Sequence, residues 1–323
     1  MISQSARVPR AAPGEFRVIV GIGKQKHNIK QKNMNDKTKE KYVNIVIYIS
    51  TKCNLFCKHC MGNHGLNGVN ARIEDLRKIT SHFPLEIKYD IEITGGESFC
   101  NKDVLYEFLE HIQAINPPNL RSCGVDTNGM WIRDEESVKK VFQELRDRGV
   151  NCVAFLSDDK YHEKAGFDRK KLLIAKRVAE EYFDDKKFVF TGHGVEKAVP
   201  LGRAKTSVPP NEWDWESECY AKLTDFDKNG SEIYIEPDGT THVCQCSLFA
   251  VTSNILDHTY EEVAEHFRSS AIFRALSSKG PKGIAERLGI KADYAENRIK
   301  RLGECVYCDE LHREYPYTIA EIG

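Results

Sequence analysis

Residues 43–60, VNIVIYISTKCNLFCKHC, join a run of β-branched residues to three closely spaced cysteines. The run at 43–49 predicts a buried strand. Cys53, Cys57 and Cys60 follow it at spacings of four and three, so one loop can hold three thiolates around one face of a metal cluster. Three protein ligands leave one metal position open, whereas a structural site normally closes all of its positions. This stretch therefore predicts a strand followed by a reactive metal centre, with a zinc knuckle as the alternative.

The chain after this loop alternates short strand-like runs with longer amphipathic segments. Such alternation predicts a parallel sheet that binds ligands at the carboxyl ends of its strands, although periodicity does not decide whether the sheet closes into a barrel. The expected strands are 43–49, 90–94, 122–126, 152–156 and 187–190, and the expected helices are 73–82, 103–115, 134–148 and 169–182.

The composition is that of a globular protein with a sizeable core. The chain has 323 residues, 41% of them apolar, and a net charge of −1, so neither a membrane nor a nucleic acid is an expected partner. Eleven cysteines without a secretory signal predict a reducing cytoplasm, where clustered cysteines bind metal. Residues 1–42 carry ten Lys or Arg against three acids and are expected to form a disordered basic leader, with Met34 as a possible start.

The position and spacing of Cys53, Cys57 and Cys60 resemble the signature of the radical S-adenosylmethionine (SAM) superfamily. This resemblance implies a partial (β/α)6 barrel over residues 43–205. It also implies a 4Fe-4S cluster whose open iron chelates SAM and reduces it to a 5′-deoxyadenosyl radical.

The resemblance extends to residues that would hold SAM. Gly95, Gly96 and Glu97 match a turn that binds the SAM amino group, and His59 stands where family members often carry an aromatic residue against the adenine. Four further residues follow strand ends at which the family contacts SAM, with an ordinary loop salt bridge as the alternative for the last two: Asn128, Ser157, Asp158 and Arg203.

Residues 206–323 are expected to form a second, smaller domain. It contains a hairpin around Pro237-Asp238-Gly239 and a charged, helix-prone stretch from 260 to about 301. Four cysteines in this region resemble the twitch or SPASM-type extension that holds one auxiliary iron-sulfur cluster, expected to be 4Fe-4S; a zinc ribbon is the alternative. These four are Cys219, Cys244, Cys305 and Cys308.

Cys246 lies two residues beyond one of these proposed ligands and resembles the hydrogen-donating cysteine of radical SAM epimerases. The resemblance implies abstraction of a hydrogen from a carbon centre of a peptide or sugar natural product and return of one from the Cys246 thiol. Two alternatives are that Cys246 is the ligand and Cys244 the donor, and that Cys246 is a spare thiol or a buried small hydrophobic residue. An electron donor such as flavodoxin or ferredoxin is the implied partner.

Two other functions remain open for the sequence. One is an oxidative enzyme that uses the auxiliary cluster as electron acceptor in dehydrogenation or cross-linking. The other is a non-catalytic iron-sulfur or zinc scaffold. Cys123 and Cys152 are expected in the core, as is Cys100, with a position facing the site as the alternative for Cys100 because it follows Gly-Gly-Glu closely. His162 is either substrate-facing or a capped loop residue.

Overall fold

The computed structural model describes residues 42–182, 188–190, 197–215, 219, 231–244 and 250–315. The expected disordered leader lies outside these ranges except for Tyr42, which begins the first strand. Cys246 also lies outside them. Within the described ranges, every helix is too short or too polar to cross a membrane.

The strands form one sheet of eight members in the order β5-β4-β3-β2-β1-β6-β7-β8. Strands β1 to β6 pair in parallel, and β7 and β8 join the edge antiparallel, which confirms the α/β fold class. The strands are β1 (Tyr42–Ser50), β2 (Lys88–Gly95), β3 (Leu120–Thr127), β4 (Cys152–Phe155), β5 (Phe188–Phe190), β6 (Ser231–Ile235), β7 (Thr240–His242) and β8 (Ala250–Asn254).

The hairpin that the sequence predicts around Pro237-Asp238-Gly239 is formed by β6 and β7. Strand β6 pairs in parallel with β1, with Ile45 opposite Ile233. The sixth parallel strand therefore comes from the segment 206–323, so the first part of that segment shares a sheet with the segment 43–205.

Helices of the first part of the chain pack on one face of the sheet, and the last helices pack against one another. They are α1 (Ile73–Ser81), α2 (Lys102–Ile115), α3 (Glu135–Asp147), α4 (Lys160–Lys164), α5 (Lys170–Tyr182), α6 (Ala204–Ser207), α7 (Tyr260–Ser269), α8 (Ala271–Lys279), α9 (Pro281–Arg287), α10 (Ala292–Leu302) and α11 (Glu304–Glu314).

The two faces of the sheet differ in chemistry because side chains alternate along each strand. Ile45, Ile47 and Ile49 of β1 are fully buried and share one hydrophobic core with Leu76 of α1 and Phe108 of α2. Asn44, Val46 and Tyr48 alternate with these isoleucines and so lie on the opposite face. The apolar face fixes the helices, and the other face is left for polar groups.

A smaller core holds the last helices together. Leu276 of α8, Ile284 of α9 and Ala295 of α10 are buried with Tyr307 and Cys308 of α11. The charged stretch after residue 260 thus forms several short helices around its own apolar centre. The Cys305-Cys308 pair lies on the last of them.

The three remaining cysteines of the first part of the chain differ in burial. Cys123 and Cys152 are buried, as expected. The expectation of a core position for Cys100 was wrong: this residue is exposed, because it lies in the short helical turn after β2 and not in a strand.

Candidate functional site

The three cysteines of the first loop lie at the carboxyl end of β1, where nearby polar hydrogens point at their sulfurs. The backbone N–H of Leu55 donates to Cys53 Sγ at 3.4 Å, and that of His64 donates to Cys60 Sγ at 3.3 Å. Asn128 Nδ2, from the end of β3, lies 3.7 Å from Cys53 Sγ. Donors of this kind stabilise negative charge on cluster-bound sulfur.

The beginning of this loop is fastened to the end of β2. Gly96 N–H donates to Ser50 O at 2.8 Å, and Glu97 N–H donates to Lys52 O at 2.9 Å. A Cβ on Gly96 would lie 2.4 Å from Lys52 O and 3.0 Å from Cys53 Cβ. The glycine is therefore required for the loop that carries the cysteines to approach the neighbouring strand.

Glu97 is 2% exposed and ties the end of β2 to the end of β3. Its Oε1 accepts from Thr127 Oγ1 at 2.8 Å and from Phe99 N–H at 3.1 Å, and its Oε2 accepts from Asn128 N–H at 2.6 Å. Burial raises the pKa of its carboxyl group, while these three hydrogen bonds act in the opposite direction. Two carboxylate oxygens offer about four acceptor positions, so one remains for another donor.

Gly202 and Arg203 hold the loop from its other side. Gly202 has φ of +51°, and a Cβ there would lie 2.0 Å from Met61 O. The buried Arg203 guanidinium donates to Cys57 O at 2.9 Å and to His64 O, and it lies 3.5 Å above the centre of the Phe56 ring. The Arg203 side chain thus fixes the cysteine loop by binding backbone carbonyl groups of that loop. No sequence pattern predicts this role.

His59, two residues after Cys57, lies against polar and aromatic side chains of the segment that follows β4. The ring of His59 stacks on Tyr161 with centroids 4.7 Å apart, and burial lowers its pKa to about 4. Asp159 Oδ2 lies 2.6 Å from His162 Nδ1. One ligand atom each of Cys57, His59 and His162 lies within 4.8 Å of the others. In this structure the His59 ring packs against Tyr161, next to the cysteine loop.

Ser157 and Asp158, which precede Asp159 after the end of β4, have protein partners as well. Ser157 is fully buried, and its Oγ donates to Asn128 O at 2.6 Å. Asp158 Oδ1 accepts from Arg169 Nε at 2.9 Å and from its NH2 at 2.5 Å. Ser157 therefore supports the Asn128 turn, and Asp158 forms the loop salt bridge that the sequence left as an alternative.

The donor set fits an iron-sulfur cluster. Burial raises the pKa of the Cys53 thiol to about 11 and that of Cys57 to about 12, so both are protonated thiols at neutral pH in the absence of metal. Metal binding requires thiolates and releases these protons. Three sulfurs on one loop, with N–H donors aimed at two of them, supply the ligands and the stabilisation that such a cluster needs.

The four cysteines of the C-terminal region are brought together. Burial holds the pKa of the Cys308 thiol well above its usual range, and the nearby thiols of Cys219, Cys244 and Cys305 raise it further. Cys219 N–H donates to Glu304 Oε2 at 2.6 Å, which fastens this residue to the start of α11. Four cysteines from three distant segments of the sequence thus lie near one another.

Sequence reasoning missed Asp159, which caps α4 and binds His162, and it missed a set of polar residues inside the strands. Asp159 accepts from the N–H groups of Tyr161 and His162 at 2.8 and 2.9 Å. The strand residues are Asn44, Asp90, Glu92, Asp126 and Glu232, and they alternate with apolar residues. That alternation was the available signal, since a strand buried on both faces would be apolar at these positions as well.

Comparison with known proteins identifies relatives of part of the chain. No protein-family model matches it. A GTP 3′,8-cyclase of Listeria monocytogenes serotype 4b is 27% identical over 146 residues, which cover 42% of this chain and 41% of the cyclase. A GTP 3′,8-cyclase of Listeria welshimeri is 26% identical with the same coverage. The chain thus spans less than half the length of the curated relatives it matches.

A solved structure extends the likeness to a larger share of the chain. The crystal structure of BtrN in complex with AdoMet and 2-DOIA superposes with a TM-score of 0.52 at 18% identity. The match covers 76% of this chain and 91% of BtrN. This likeness shows that the two proteins share a fold.

Proposed function

We propose that this chain, whose motifs and relatives support membership of the radical SAM superfamily, is an enzyme that binds a 4Fe-4S cluster and cleaves SAM to begin hydrogen-atom abstraction. The observation that carries the proposal is the loop after β1. It presents Cys53, Cys57 and Cys60 beside the Gly95-Gly96-Glu97 turn, at the carboxyl edge of a parallel sheet. Ligand sites of α/β proteins lie at this edge.

In this proposal the three cysteine sulfurs hold the cluster and leave one iron for SAM. When bound, the cluster and SAM supply a 5′-deoxyadenosyl radical that removes one hydrogen atom from a substrate carbon. The remaining acceptor position of Glu97 binds the SAM ammonium group, which is the partner that a buried carboxylate favours. Asn128 supports the same turn through its contacts with Cys53 and Asn54.

We further propose that the reaction is an epimerisation in which Cys246 returns the hydrogen. The Cys246 S–H bond breaks, a C–H bond forms on the opposite face of the carbon, and a sulfur radical remains. One electron and one proton then restore the thiol. A low-potential one-electron donor of the flavodoxin or ferredoxin class supplies this electron and the one that SAM cleavage consumes.

The grouping of Cys219, Cys244, Cys305 and Cys308 supports an auxiliary cluster with four protein ligands. A closed cluster suits electron transfer better than SAM cleavage. It also supports Cys244 as a ligand, which leaves Cys246 for hydrogen donation. The same grouping favours the second candidate, an oxidative reaction in which the substrate radical gives its electron to this cluster.

Solvent-derived hydrogen in the product distinguishes the two reactions. Wild type and Cys246→Ala are reconstituted anaerobically and incubated in deuterated water with SAM, a reductant and candidate peptide or sugar substrates, and the products are examined by mass spectrometry. The thiol exchanges with solvent, so epimerisation places one deuterium in the product. The Cys246→Ala variant should still form 5′-deoxyadenosine but should not invert the carbon.

One result would contradict the proposed epimerisation, and another would contradict the proposed SAM cleavage. If Cys246→Ala gives the same product as wild type, Cys246 does not donate the hydrogen and the oxidative reaction becomes the better account. If reconstituted wild type neither binds nor cleaves SAM, the chain is a metal-binding scaffold. Cys123→Ala is the matched control, because Cys123 is a buried core cysteine on β3.

A further inference from the structure

The face of the sheet turned away from the helices carries a row of acidic and amide side chains. The register aligns Asn44 of β1 with Asp90 of β2 on one side and with Glu232 of β6 on the other. One layer further along the strands, Glu92 lies across β1 from Tyr234. Side chains at alternate strand positions share a face, so these residues lie on one surface.

Asn44 stands between two of the carboxylates. Its Nδ2 donates to Glu92 Oε2 and to Glu232 Oε1, both at 3.2 Å. Tyr234 OH donates to the other oxygen of Glu232 at 2.7 Å. Because a carboxylate only accepts, these contacts fix the orientation of the Asn44 amide and turn its oxygen away from both glutamates.

Two deeply buried acceptor atoms on this surface lack a hydrogen-bond partner among the described residues. They are Asn44 Oδ1 and Asp126 Oδ1, and the two residues are 7% and 6% exposed. An unsatisfied buried acceptor costs about 1–3 kcal/mol. Asn44 is uncharged, so its free oxygen is evidence for a missing donor that does not depend on the acidic residues.

The surface also lacks a compensating cation. In the part of the chain that the structure describes, Arg121 lies 3.7 Å from Asp90, but no Lys or Arg is paired with Glu92, Asp126 or Glu232. Burial is the main cause that raises the pKa of the Asp126 and Glu232 carboxyl groups, and the charge of Glu92 raises both further. A buried carboxylate group of this kind is stabilised by a partner that brings positive charge and several N–H donors.

This surface adjoins the cysteine loop. Tyr48, on the same face of β1, is half-buried, and its ring meets that of His64 edge-on at 6.1 Å. His64 in turn donates its N–H to Cys60 Sγ. Asp126 precedes by two residues the Asn128 that contacts Cys53. A ligand held by Asp126 would therefore lie close to the site of hydrogen abstraction.

We propose that this surface is the substrate-binding pocket and that the substrate carries a primary ammonium group, which Glu92, Asp126 and Glu232 bind, while a second donor of the same substrate meets the Asn44 oxygen. The inference rests on the proposed function, because it assigns substrate chemistry to the same site. An ammonium group supplies the missing positive charge and three N–H donors at once. Amino sugars and lysine-bearing peptides both offer it, so the test separates these two sources.

The test compares matched pairs of probes by saturation-transfer NMR on the reconstituted full chain with SAM present. D-glucosamine is measured against D-glucose, and the terminally blocked peptide N-acetyl-Gly-Lys-Gly-amide against N-acetyl-Gly-norleucine-Gly-amide, so that the lysine ammonium group is the only primary amine of the pair. We expect at least one amine to bind about tenfold more tightly than its neutral counterpart, and the pair that shows the difference identifies the source of the ammonium group. The preference should disappear in Glu92→Gln/Glu232→Gln and persist in Glu86→Gln, since Glu86 is exposed and lies outside the sheet, before β2 begins.

Equal binding of amine and neutral probes by wild type, or a preference that survives in the double variant, would overturn the inference. Displacement of the amines by millimolar Mg²⁺ or Ca²⁺ that binds more tightly would overturn it in favour of a metal site. The single variant Glu232→Gln, which keeps an acceptor for Tyr234, provides the answer if the double variant does not fold. SAM cleavage is measured on the same samples: cleavage without amine preference refutes this inference alone, whereas amine preference without cleavage refutes the proposed function.

Discussion

The two cysteine groups of this protein are built in different ways. Cys53, Cys57 and Cys60 lie within eight residues on one loop, which neighbouring strand ends hold in place. Cys219, Cys244, Cys305 and Cys308 come from distant segments, and Cys219 and Cys308 are buried in the core of the last helices. The first group lies on one loop whose backbone is held by the end of β2 and by Arg203, whereas the second joins cysteines of three distant segments and forms only when that region has folded. A metal bound there should therefore contribute to the stability of that region.

The largest effects should come from removing one ligand of each group. With two 4Fe-4S clusters, wild type should hold about eight irons per chain. Cys57→Ala and Cys308→Ala should each retain about four, because each loses a different cluster. Iron and sulfide analysis after anaerobic reconstitution measures this, with Cys123→Ala as the control that keeps the full content. A wild type with about four irons, unaffected by Cys308→Ala, would show that the second group holds no cluster.

The next effect concerns the helical core behind the second group. Leu276 is 3% exposed, and Leu276→Ala should destabilise the protein by about 3 kcal/mol because it leaves a cavity. It should also weaken iron retention at the second group and leave the first intact. Urea denaturation and iron analysis of Cys57→Ala/Leu276→Ala and Cys308→Ala/Leu276→Ala separate the two sites. Leu173→Ala, at an exposed position, is the control; equal iron loss from both groups would contradict the separation.

A somewhat smaller effect is expected where the first loop is fastened. Gly202→Ala should cost about 2 kcal/mol, because its φ is positive and its new Cβ would meet Met61 O at 2.0 Å. Gly149→Ala has a positive φ as well but nothing within 4 Å, so it should cost about 1 kcal/mol. Denaturant midpoints give both values. Indistinguishable midpoints would show that the close approach of residue 202 to the loop is unimportant.

The smallest effects are expected from replacing one arginine in the region of each cysteine group. Arg203 donates to the backbone of the first loop, and Arg298 of α10 forms a two-pronged pair with Glu310 of α11. A lysine keeps the charge but not the fork of donors. Arg203→Lys should speed iron loss to a chelator about fivefold at the first group only, and Arg298→Lys at the second only. Arg77→Lys, in an exposed pair, is the control, and loss from the opposite group would refute the assignment.

The sequence predicted the elements built from local pattern. The predicted strand 152–156 and helix 73–82 agree with β4 and α1 within one residue, because a short continuous apolar run determines the strand and amphipathic periodicity the helix. It did not predict that β6 pairs with β1, or that Arg203 holds the loop of Cys57. Both contacts join residues more than 140 positions apart, and no short motif encodes them.

The same distinction applies to the candidate site. Spacing identified the three cysteines of the first loop, and the family resemblance that they carry identified the Gly-Gly-Glu turn; each is one continuous segment. The acidic surface escaped notice because Asn44, Glu92 and Glu232 meet only across three strands. The sequence did not reveal the role of Asp159, because this residue caps a helix of five residues that is too short for a periodic pattern to predict.

The proposed chemistry depends on SAM cleavage at the first group, and one measurement tests it most directly. Anaerobically reconstituted wild type and Cys57→Ala are incubated with SAM and dithionite, and 5′-deoxyadenosine is quantified by liquid chromatography with mass spectrometry. We expect wild type to form 5′-deoxyadenosine and Cys57→Ala to form none above the protein-free background. A wild type that carries its iron and sulfide in full but forms no 5′-deoxyadenosine would contradict the assignment.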